Sequence, residues 1–298
     1  MAEGSSTNGK FRRETVFWSS DGFRGRRSIM NQPEPIRPAL WMLTASFNFA
    51  MMGSLAHAVG PRCDWQVIAL IRIVSTFALS VALAVWARVP LVFARPRTLW
   101  IRSSAGTLSL LCSFYALTKL PVADVLTLTN TYPLWIVLIA WLRNERSTSW
   151  ADLGCIVSGV LGVALLQSPY LSGKGNHASL IALVATFATA VAMLGLHRLK
   201  TVDPRAVVAH FSGFATVTLT LCLLFRGELI SGAALDRRTV PLLLGVGLTG
   251  TIGQVLLTKA FASGAPARVS VLGLTQVLFA MLFDLIFQGR RIGPVSLA

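Results

Sequence analysis

Long apolar runs separated by short polar breaks fill the chain from Ala39 onward. A bilayer core of about 30 Å needs about 20 helical residues at about 1.5 Å each. Nine segments meet that length: Ala39–Val59, Gln66–Ala87, Thr98–Thr118, Val122–Leu142, Trp150–Ser168, Ala178–His197, Ala206–Phe225, Val240–Thr258 and Val269–Phe287. The breaks between them are rich in Pro, Gly and charged residues, as loops are. The pattern predicts an all-α, polytopic membrane protein with nine transmembrane helices.

Composition and charge agree with a membrane protein rather than a nucleic-acid-binding one. Of the 298 residues, 54% are hydrophobic and only 13% are charged, against about 25% charged residues in soluble domains. The net charge of +15 comes from basic residues that lie mainly between the apolar runs, which orients a membrane protein and does not form a nucleic-acid surface. The four cysteines are far apart and lack metal-ligand spacing, so we expect no metal and no cofactor.

The distribution of Lys and Arg predicts the orientation. With the N-terminus inside, 18 of the 27 basic residues face the cytoplasm, including those from Arg88 to Arg102, and eight face outward. That excess predicts a multi-pass protein of the bacterial plasma membrane with a cytoplasmic N-terminus. Residues 1–38 carry seven basic residues and no apolar stretch long enough for a signal peptide. We expect them to form a disordered cytoplasmic tail, with Met30 as an alternative start.

An internal repeat divides the predicted helices into two halves. An offset of 145 residues places Pro121 on Pro266 and Arg146 on Arg291. This offset aligns the third and fourth spans with the eighth and ninth. Because corresponding spans are five apart, an odd number, the two copies have opposite orientations in the bilayer, as in transporters with inverted five-helix repeats. We expect a first repeat at 39–168 and a second at 178–298. The same offset maps the fifth span onto about 295 to 313, so the tenth helix is expected to be absent from this chain.

Motifs within the repeat resemble a known transporter family. Tyr115–Asp124 reads Tyr-Ala-Leu-Thr-Lys-Leu-Pro-Val-Ala-Asp, and it is followed by Tyr132-Pro133-Leu134 and Asn144-Glu145-Arg146. This stretch resembles the EamA family of the drug/metabolite transporter (DMT) superfamily. The second copy is looser, with Arg290 where the family usually has an acidic residue. The resemblance implies a ten-helix exporter or exchanger and leaves the substrate open.

When the basic residues are assigned to the two sides of the membrane, Arg72 belongs to neither side, because it lies inside the second predicted span. It lies eight residues after Asp64, about 12 Å into the bilayer. An arginine at this depth costs at least a few kcal/mol, so it should face a polar cavity or a partner. Two interpretations stay open: a clamp for a carboxylate-bearing solute, or an internal hydrogen bond to helix carbonyls or polar side chains.

Further polar side chains lie within the predicted spans. Candidates for binding the solute, together with Arg72, are Asn48, Asn130, Tyr132, Gln254 and Gln276. Pro133 frees a backbone carbonyl one turn earlier, which can also contact a solute. The alternative for each is a hydrogen bond between helices. His210 is a candidate for coupling transport to protons, and its alternative is a neutral imidazole satisfied by a neighbour.

The leading hypothesis is a secondary transporter that moves a small polar metabolite, such as an amino acid, by alternating access. No Walker motif is present to use ATP directly. An intramembrane enzyme is a weaker alternative, because the spans offer isolated histidines and no catalytic pair, and we name no catalytic residue. A third alternative is a non-transporting remnant. The expected partners are the solute and the lipid bilayer, with no nucleic acid; a homodimer, which would cover a surface left by the missing helix, stays open.

Overall fold

The computed structural model describes residues 36–93, 96–117, 125, 128–142, 150–167, 176–226 and 236–288. Within these ranges the regular structure is helical throughout. The described helices are α1 (Ile36–Val59), α2 (Trp65–Trp86), α3 (Arg97–Leu117), α4 (Tyr132–Leu142), α5 (Trp150–Gln167), α6 (Asn176–Arg198), α7 (Pro204–Arg226), α8 (Thr239–Ser263), α9 (Pro266–Gly273) and α10 (Thr275–Gln288). Helices suit such apolar sequences because they satisfy every backbone group without water.

The helices match the predicted all-α, polytopic membrane fold, which is confirmed. Six segments of the described chain are long and apolar enough to cross a membrane, and α4 is a shorter apolar helix. Residues 289–298, where the tenth helix that is expected to be absent would begin, and residues 1–35 of the predicted tail lie outside the described residues. Helix α1 begins at Ile36, three residues before the predicted first span and inside the predicted tail.

The ninth predicted span, Val269–Phe287, is present as one candidate span that begins three residues earlier, at Pro266. The sequence did not predict the single-residue turn at Leu274 (φ −63°, ψ −22°), which separates α9 from α10. Proline is well suited to a helix start, since its fixed φ fits and its missing N–H would have no partner there. At the break, the Thr275 hydroxyl donates to the carbonyl of Leu272 at 2.6 Å, in competition with the regular backbone ladder. The sequence contains no proline at this break to mark it.

The helices pack in the same pairs in both halves. Helix α1 packs along α8, α3 packs along α6, and α2 packs along α7. The repeat exchanges α1 with α6 and α3 with α8, so the first two pairs are counterparts and the α2–α7 pair is its own counterpart. This pairing interleaves the halves instead of stacking one beside the other.

Aromatic contacts repeat the pattern in detail. Phe47 of α1 meets Phe279 of α10 edge to face, with ring centroids 5.6 Å apart and planes at 83°. Phe187 of α6 meets Trp135 of α4 at 5.4 Å and 84°. Both contacts join the first helix of one half to the fourth helix of the other half. Such T-shaped pairs add about 0.5–1.5 kcal/mol beyond the area that they bury.

Candidate solute site

The fourth helix of each half is interrupted at equivalent places. In the first half a turn at Asn130 and Thr131 precedes α4, and in the second half Leu274 separates α9 from α10. An interrupted helix exposes backbone carbonyls that a continuous helix would use internally. In transporters, such discontinuous helices supply backbone groups at the solute site near the bilayer midplane.

A hydroxyl from the opposite half contacts a carbonyl at each interruption. Ser46 of α1 donates to the carbonyl of Leu272 at 3.4 Å, and Thr186 of α6 donates to the carbonyl of Leu128 at 3.0 Å. Helices α1 and α6 are counterparts under the repeat, so the two interactions are related by the same symmetry. Each half therefore completes the interrupted helix of the other.

Tyr132 connects the two interruptions directly. Its hydroxyl donates to the carbonyl of Ser270 in α9 at 3.3 Å. The same hydroxyl lies 2.5 Å from the position that a Cβ would occupy at Gly273, so only glycine leaves room for it there. The predicted candidate Tyr132 thus lies between α4 and α9, close to the break at Leu274.

Arg72 lies in a notch on α8, which we call the Arg72 notch and define by Arg72, Gly250 and Met52. A Cβ at Gly250 would lie 3.6 Å from Nε of Arg72 and 3.0 Å from Sδ of Met52. The arginine is half-buried. One turn further along α2, the Thr76 hydroxyl donates to the Arg72 carbonyl at 2.8 Å, and Thr251 of α8 donates to Thr76 Oγ1 at 3.3 Å. Arg72 therefore lies where α1, α2 and α8 meet.

The four predicted amide candidates fall into different places. Gln254 is 8% exposed and follows Gly250 by one helical turn, so it shares the α8 face that Arg72 contacts. Asn48 turns back along its own helix, and its Nδ2 donates to the carbonyl of Thr44 at 2.8 Å. Asn130 lies in the turn before α4 and Gln276 near the start of α10, both half-buried. The interruptions therefore carry one amide each, as the repeat predicts.

His210 lies away from the Arg72 notch, at the junction of α3 and α7. Its Nδ1 is 2.8 Å from the hydroxyl of Ser103, and its ring meets Trp100 edge to face at 4.8 Å. The imidazole also has a hydrogen bond to the backbone of Phe93. A histidine with these partners matches the alternative of a satisfied neutral imidazole, and its predicted coupling role stays a prediction.

Sequence reasoning missed Arg102. The orientation count placed it among the basic residues that flank α3, but it lies inside α3 and is 1% exposed, the largest fully buried side chain in the described part of the chain. Its guanidinium lies 4.0 Å from the centre of the Phe211 ring. The sequence feature that could have indicated this position is Gly106, one helical turn further on, because it leaves space for the Arg102 side chain to lie inward.

Comparison with known proteins supports the resemblance drawn from the motifs. The model of the EamA-like transporter family matches residues 36–168 and 177–298. The chain is 26% identical over 244 residues to the pseudopaline exporter CntI of Pseudomonas aeruginosa, covering 80% of this chain and 84% of that one. It is 24% identical over 203 residues to human solute carrier family 35 member G1, covering 63% and 54%. A solved crystal structure aligns with a TM-score of 0.75 over 87% of this chain and 91% of that one, at 17% identity, and shows the fold alone.

Proposed function

We propose that this chain, which belongs to the EamA-like transporter family, is a secondary transporter that exports a small polar metabolite bearing a carboxylate. The family assignment establishes a multi-pass membrane transporter. Export is proposed because a relative that aligns over most of both chains is named as an exporter. The alternating-access mechanism, the plasma membrane location and the cytoplasmic N-terminus are parts of the same proposal.

The observation that carries the proposal is the position of Arg72 against α8. Its guanidinium packs over Gly250, beside the face that carries Gln254. A guanidinium binds a carboxylate through two parallel hydrogen bonds, which favours carboxylate-bearing solutes over neutral or cationic ones. The amide and the interrupted helices then supply neutral hydrogen-bonding groups for the rest of a polar metabolite.

The interrupted helices suit a solute site that opens alternately to the two sides of the membrane. Across the halves, each carbonyl accepts from one hydroxyl, that of Ser46 at 3.4 Å or that of Thr186 at 3.0 Å, and the local hydroxyls of Thr275 and Thr131 can satisfy the same carbonyls when these contacts open. Hydrogen bonds of this kind between membrane helices contribute only about 0.6 to 2 kcal/mol each. We infer that the halves rock around the region between these contacts, exchanging them for contacts with the solute as access alternates.

Counterflow in liposomes tests this function. Purified protein would be reconstituted and supplied with a panel of amino acids and dicarboxylates, each paired with the matching amine that lacks the carboxylate. We expect counterflow of at least one carboxylate solute and not of its amine. Arg72→Gln should reduce transport efficiency by about tenfold or more, since charge-assisted hydrogen bonds contribute about 1.5–3 kcal/mol. Arg72→Lys should keep part of the activity because it keeps the charge.

The exposed Arg97 at the start of α3 provides the matched control. Arg97→Gln removes one positive charge from a neighbouring helix without touching the Arg72 notch, so it should transport like the parent. Equal transport of a carboxylate solute by the parent and by correctly inserted Arg72→Gln would refute the clamp. Transport of none of the panel by the parent would refute the proposed substrate class.

A further inference from the structure

Arg102 is a second arginine inside the bundle, and its orientation is unexpected. It lies five residues after the start of α3 at Arg97, about 8 Å along the axis. Arginines this close to a helix end usually extend to the interface, where water and lipid headgroups solvate the guanidinium. Here the guanidinium lies against Gly106, one turn deeper, and the side chain is 1% exposed.

One glycine and one aromatic ring lie at the guanidinium, and a second glycine packs against the base of the same side chain. We call this enclosure, formed by Arg102, Phe211, Gly106 and Gly195, the Arg102 notch. A Cβ at Gly106 would lie 2.7 Å from Nη1, and a Cβ at Gly195 of α6 would lie 3.1 Å from the Cβ of Arg102. The Phe211 ring covers the guanidinium at 4.0 Å. A ring can stabilise the charge from above, but it offers no hydrogen-bond acceptor to the N–H groups at the edge.

Those edge groups are unsatisfied. Nε and Nη1 of Arg102 are both buried and have no hydrogen-bond partner. A buried charge without hydrogen bonds is among the most destabilising features that a fold can retain. Burying Arg102 in this way therefore lowers the stability of this conformation, and a bound anion would remove that penalty through two charge-assisted hydrogen bonds.

Neutral polar groups lie beside the notch. Ser103 follows Arg102 in α3, and His210 precedes Phe211 in α7, with the Ser103 hydroxyl 2.8 Å from Nδ1 of His210. Both side chains are buried. They give the notch a polar wall that carries no charge able to neutralise Arg102.

The Arg102 notch is the counterpart of the Arg72 notch. An offset of 139 residues relates Asp64 to Asp203, the residues that precede α2 and α7, and the same offset relates Arg72 to Phe211. Gly250 of α8 and Gly106 of α3 are 144 residues apart, within one residue of the repeat offset, and they accommodate Arg72 and Phe211 respectively. With the N-terminus in the cytoplasm, α2 begins outside and α7 and α3 begin inside, so the two guanidiniums lie in opposite halves of the bilayer.

We propose that Arg102 is an anion-binding residue on the cytoplasmic side of the transport path, where it takes the carboxylate of the solute that Arg72 contacts on the outer side. The proposal rests on the function proposed above. Helices α3, α6 and α7 enclose the guanidinium in this conformation, so the carboxylate reaches it when these helices separate. Two such sites, one on each side, give an anionic solute a positive contact in both access states.

Ligand-induced thermal stabilisation tests the site without requiring transport. The full-length protein in phosphatidylcholine nanodiscs would be titrated with glutarate against chloride at equal ionic strength. The Arg72→Gln variant isolates the Arg102 notch, and we expect glutarate still to raise its unfolding temperature. Adding Arg102→Gln should weaken the apparent affinity by about tenfold or more, whereas adding Arg97→Gln should leave it unchanged. Equal affinity with and without Arg102 would overturn the proposal.

A second variant guards against failure to fold and separates binding from packing. Without anion, Arg102→Met should raise the unfolding temperature, because it replaces an unsatisfied buried charge with an apolar chain of similar length. A purely structural arginine would give a lower temperature in this variant, and that result would overturn the proposal. Phosphatidylglycerol nanodiscs distinguish the source of the anion: stabilisation that depends on Arg102 and on this lipid, but not on glutarate, would assign the notch to a headgroup and overturn the solute site.

Sided transport separates this inference from the proposed function. In vesicles of both orientations, Arg102→Gln should raise the half-saturating solute concentration about tenfold at the cytoplasmic face and much less at the outer face. Absence of transport by the parent protein would refute the proposed function and leave the glutarate result to decide on the anion site. Transport that depends on Arg72 but is unchanged by Arg102→Gln at either face would refute the inference alone.

Discussion

In the Arg72 notch and in the Arg102 notch, a large side chain packs against a glycine of the neighbouring helix, but the side chains differ. In the first, the half-buried guanidinium packs over Gly250 with the flexible thioether of Met52 beside it. In the second, Phe211 takes the place equivalent to Arg72, and the arginine comes from α3 instead. Both notches carry one positive charge, but the second is much tighter.

The difference shows what the inverted repeat constrains. It keeps a glycine on α3 and α8, so that a large side chain from α7 or α2 can lie close to the helix backbone. It does not fix which side chain this is, or which helix supplies the charge. A loosely packed arginine can change its contacts at little cost, whereas a tightly packed one requires the helices around it to separate.

The largest expected effect comes from filling the two notches. Gly106→Ala places a Cβ 2.7 Å from Nη1 of Arg102 and 2.9 Å from Cε2 of Phe211, so both side chains have to move. Overpacking of this kind costs about 1–3 kcal/mol. Gly250→Ala meets the mobile Sδ of Met52 at 3.0 Å and otherwise ordinary contacts, so its cost should be smaller.

Thermal unfolding of both variants in one detergent measures this difference. The exposed Gly154 of α5 has open space at its Cβ position, so Gly154→Ala is the control for the change of residue type. A Gly250→Ala variant that loses as much stability as Gly106→Ala would show that the two notches are equally tight, and would remove the basis of the comparison.

An intermediate effect is expected from Ser103 and His210, the polar wall of the Arg102 notch. Ser103→Ala removes the group that lies 2.8 Å from Nδ1 of the buried His210. A buried polar atom left without its partner costs about 1–3 kcal/mol. Adding His210→Leu should recover part of that loss, because it also removes the unsatisfied nitrogen.

A double-mutant cycle of these two substitutions, followed by unfolding temperature, gives the coupling between Ser103 and His210. We expect a clear coupling energy. Additive losses would show that the two side chains act independently, and the wall would then be a pair of separate residues with no shared hydrogen bond.

The smallest effect concerns the start of α8, the helix that carries Gly250. The side chain and the backbone N–H of Thr239, the latter 2.7 Å from Oδ1, hold the pKa of Asp236 below its usual value. A carboxyl with a lowered pKa stabilises the fold above its unfolded-state pKa, and the contribution disappears as the pH falls through the lower, folded-state pKa. Asp236→Asn should therefore lower the unfolding temperature slightly at neutral pH and lose this effect in acid.

Melting curves of the parent and of Asp236→Asn between neutral and acidic pH test the sign. The gap between the two proteins should narrow as the pH falls. A gap that widens in acid would contradict the assigned role of the carboxylate at the helix start.

The sequence predicted most of the helices because hydrophobic length is a strong signal for a membrane span. It located Arg72 because the apolar residues around it make a charge conspicuous. It did not locate Arg102, since a basic residue five positions after a helix start normally faces the interface, and only the space above Gly106 permits the inward rotamer. The break at Leu274 was missed for a related reason: the Ser46 hydroxyl that contacts it comes from a distant helix, and the local Thr275 hydroxyl belongs to a residue type that also occurs inside unbroken helices.

The hydroxyl contacts at the interruptions also bear on how the protein is synthesised. The carbonyl of Leu128 accepts from Thr186, which follows it by 58 residues and lies in the other half. When the ribosome has delivered only α1 to α5 to the membrane, that carbonyl can already accept from the backbone N–H and the hydroxyl of Thr131, at 3.1 and 2.6 Å, so it is not left unsatisfied in lipid. We therefore expect the first half to insert with this turn closed by its own groups, and the contact from Thr186 that joins the halves to form only after α6 is inserted, late in translation.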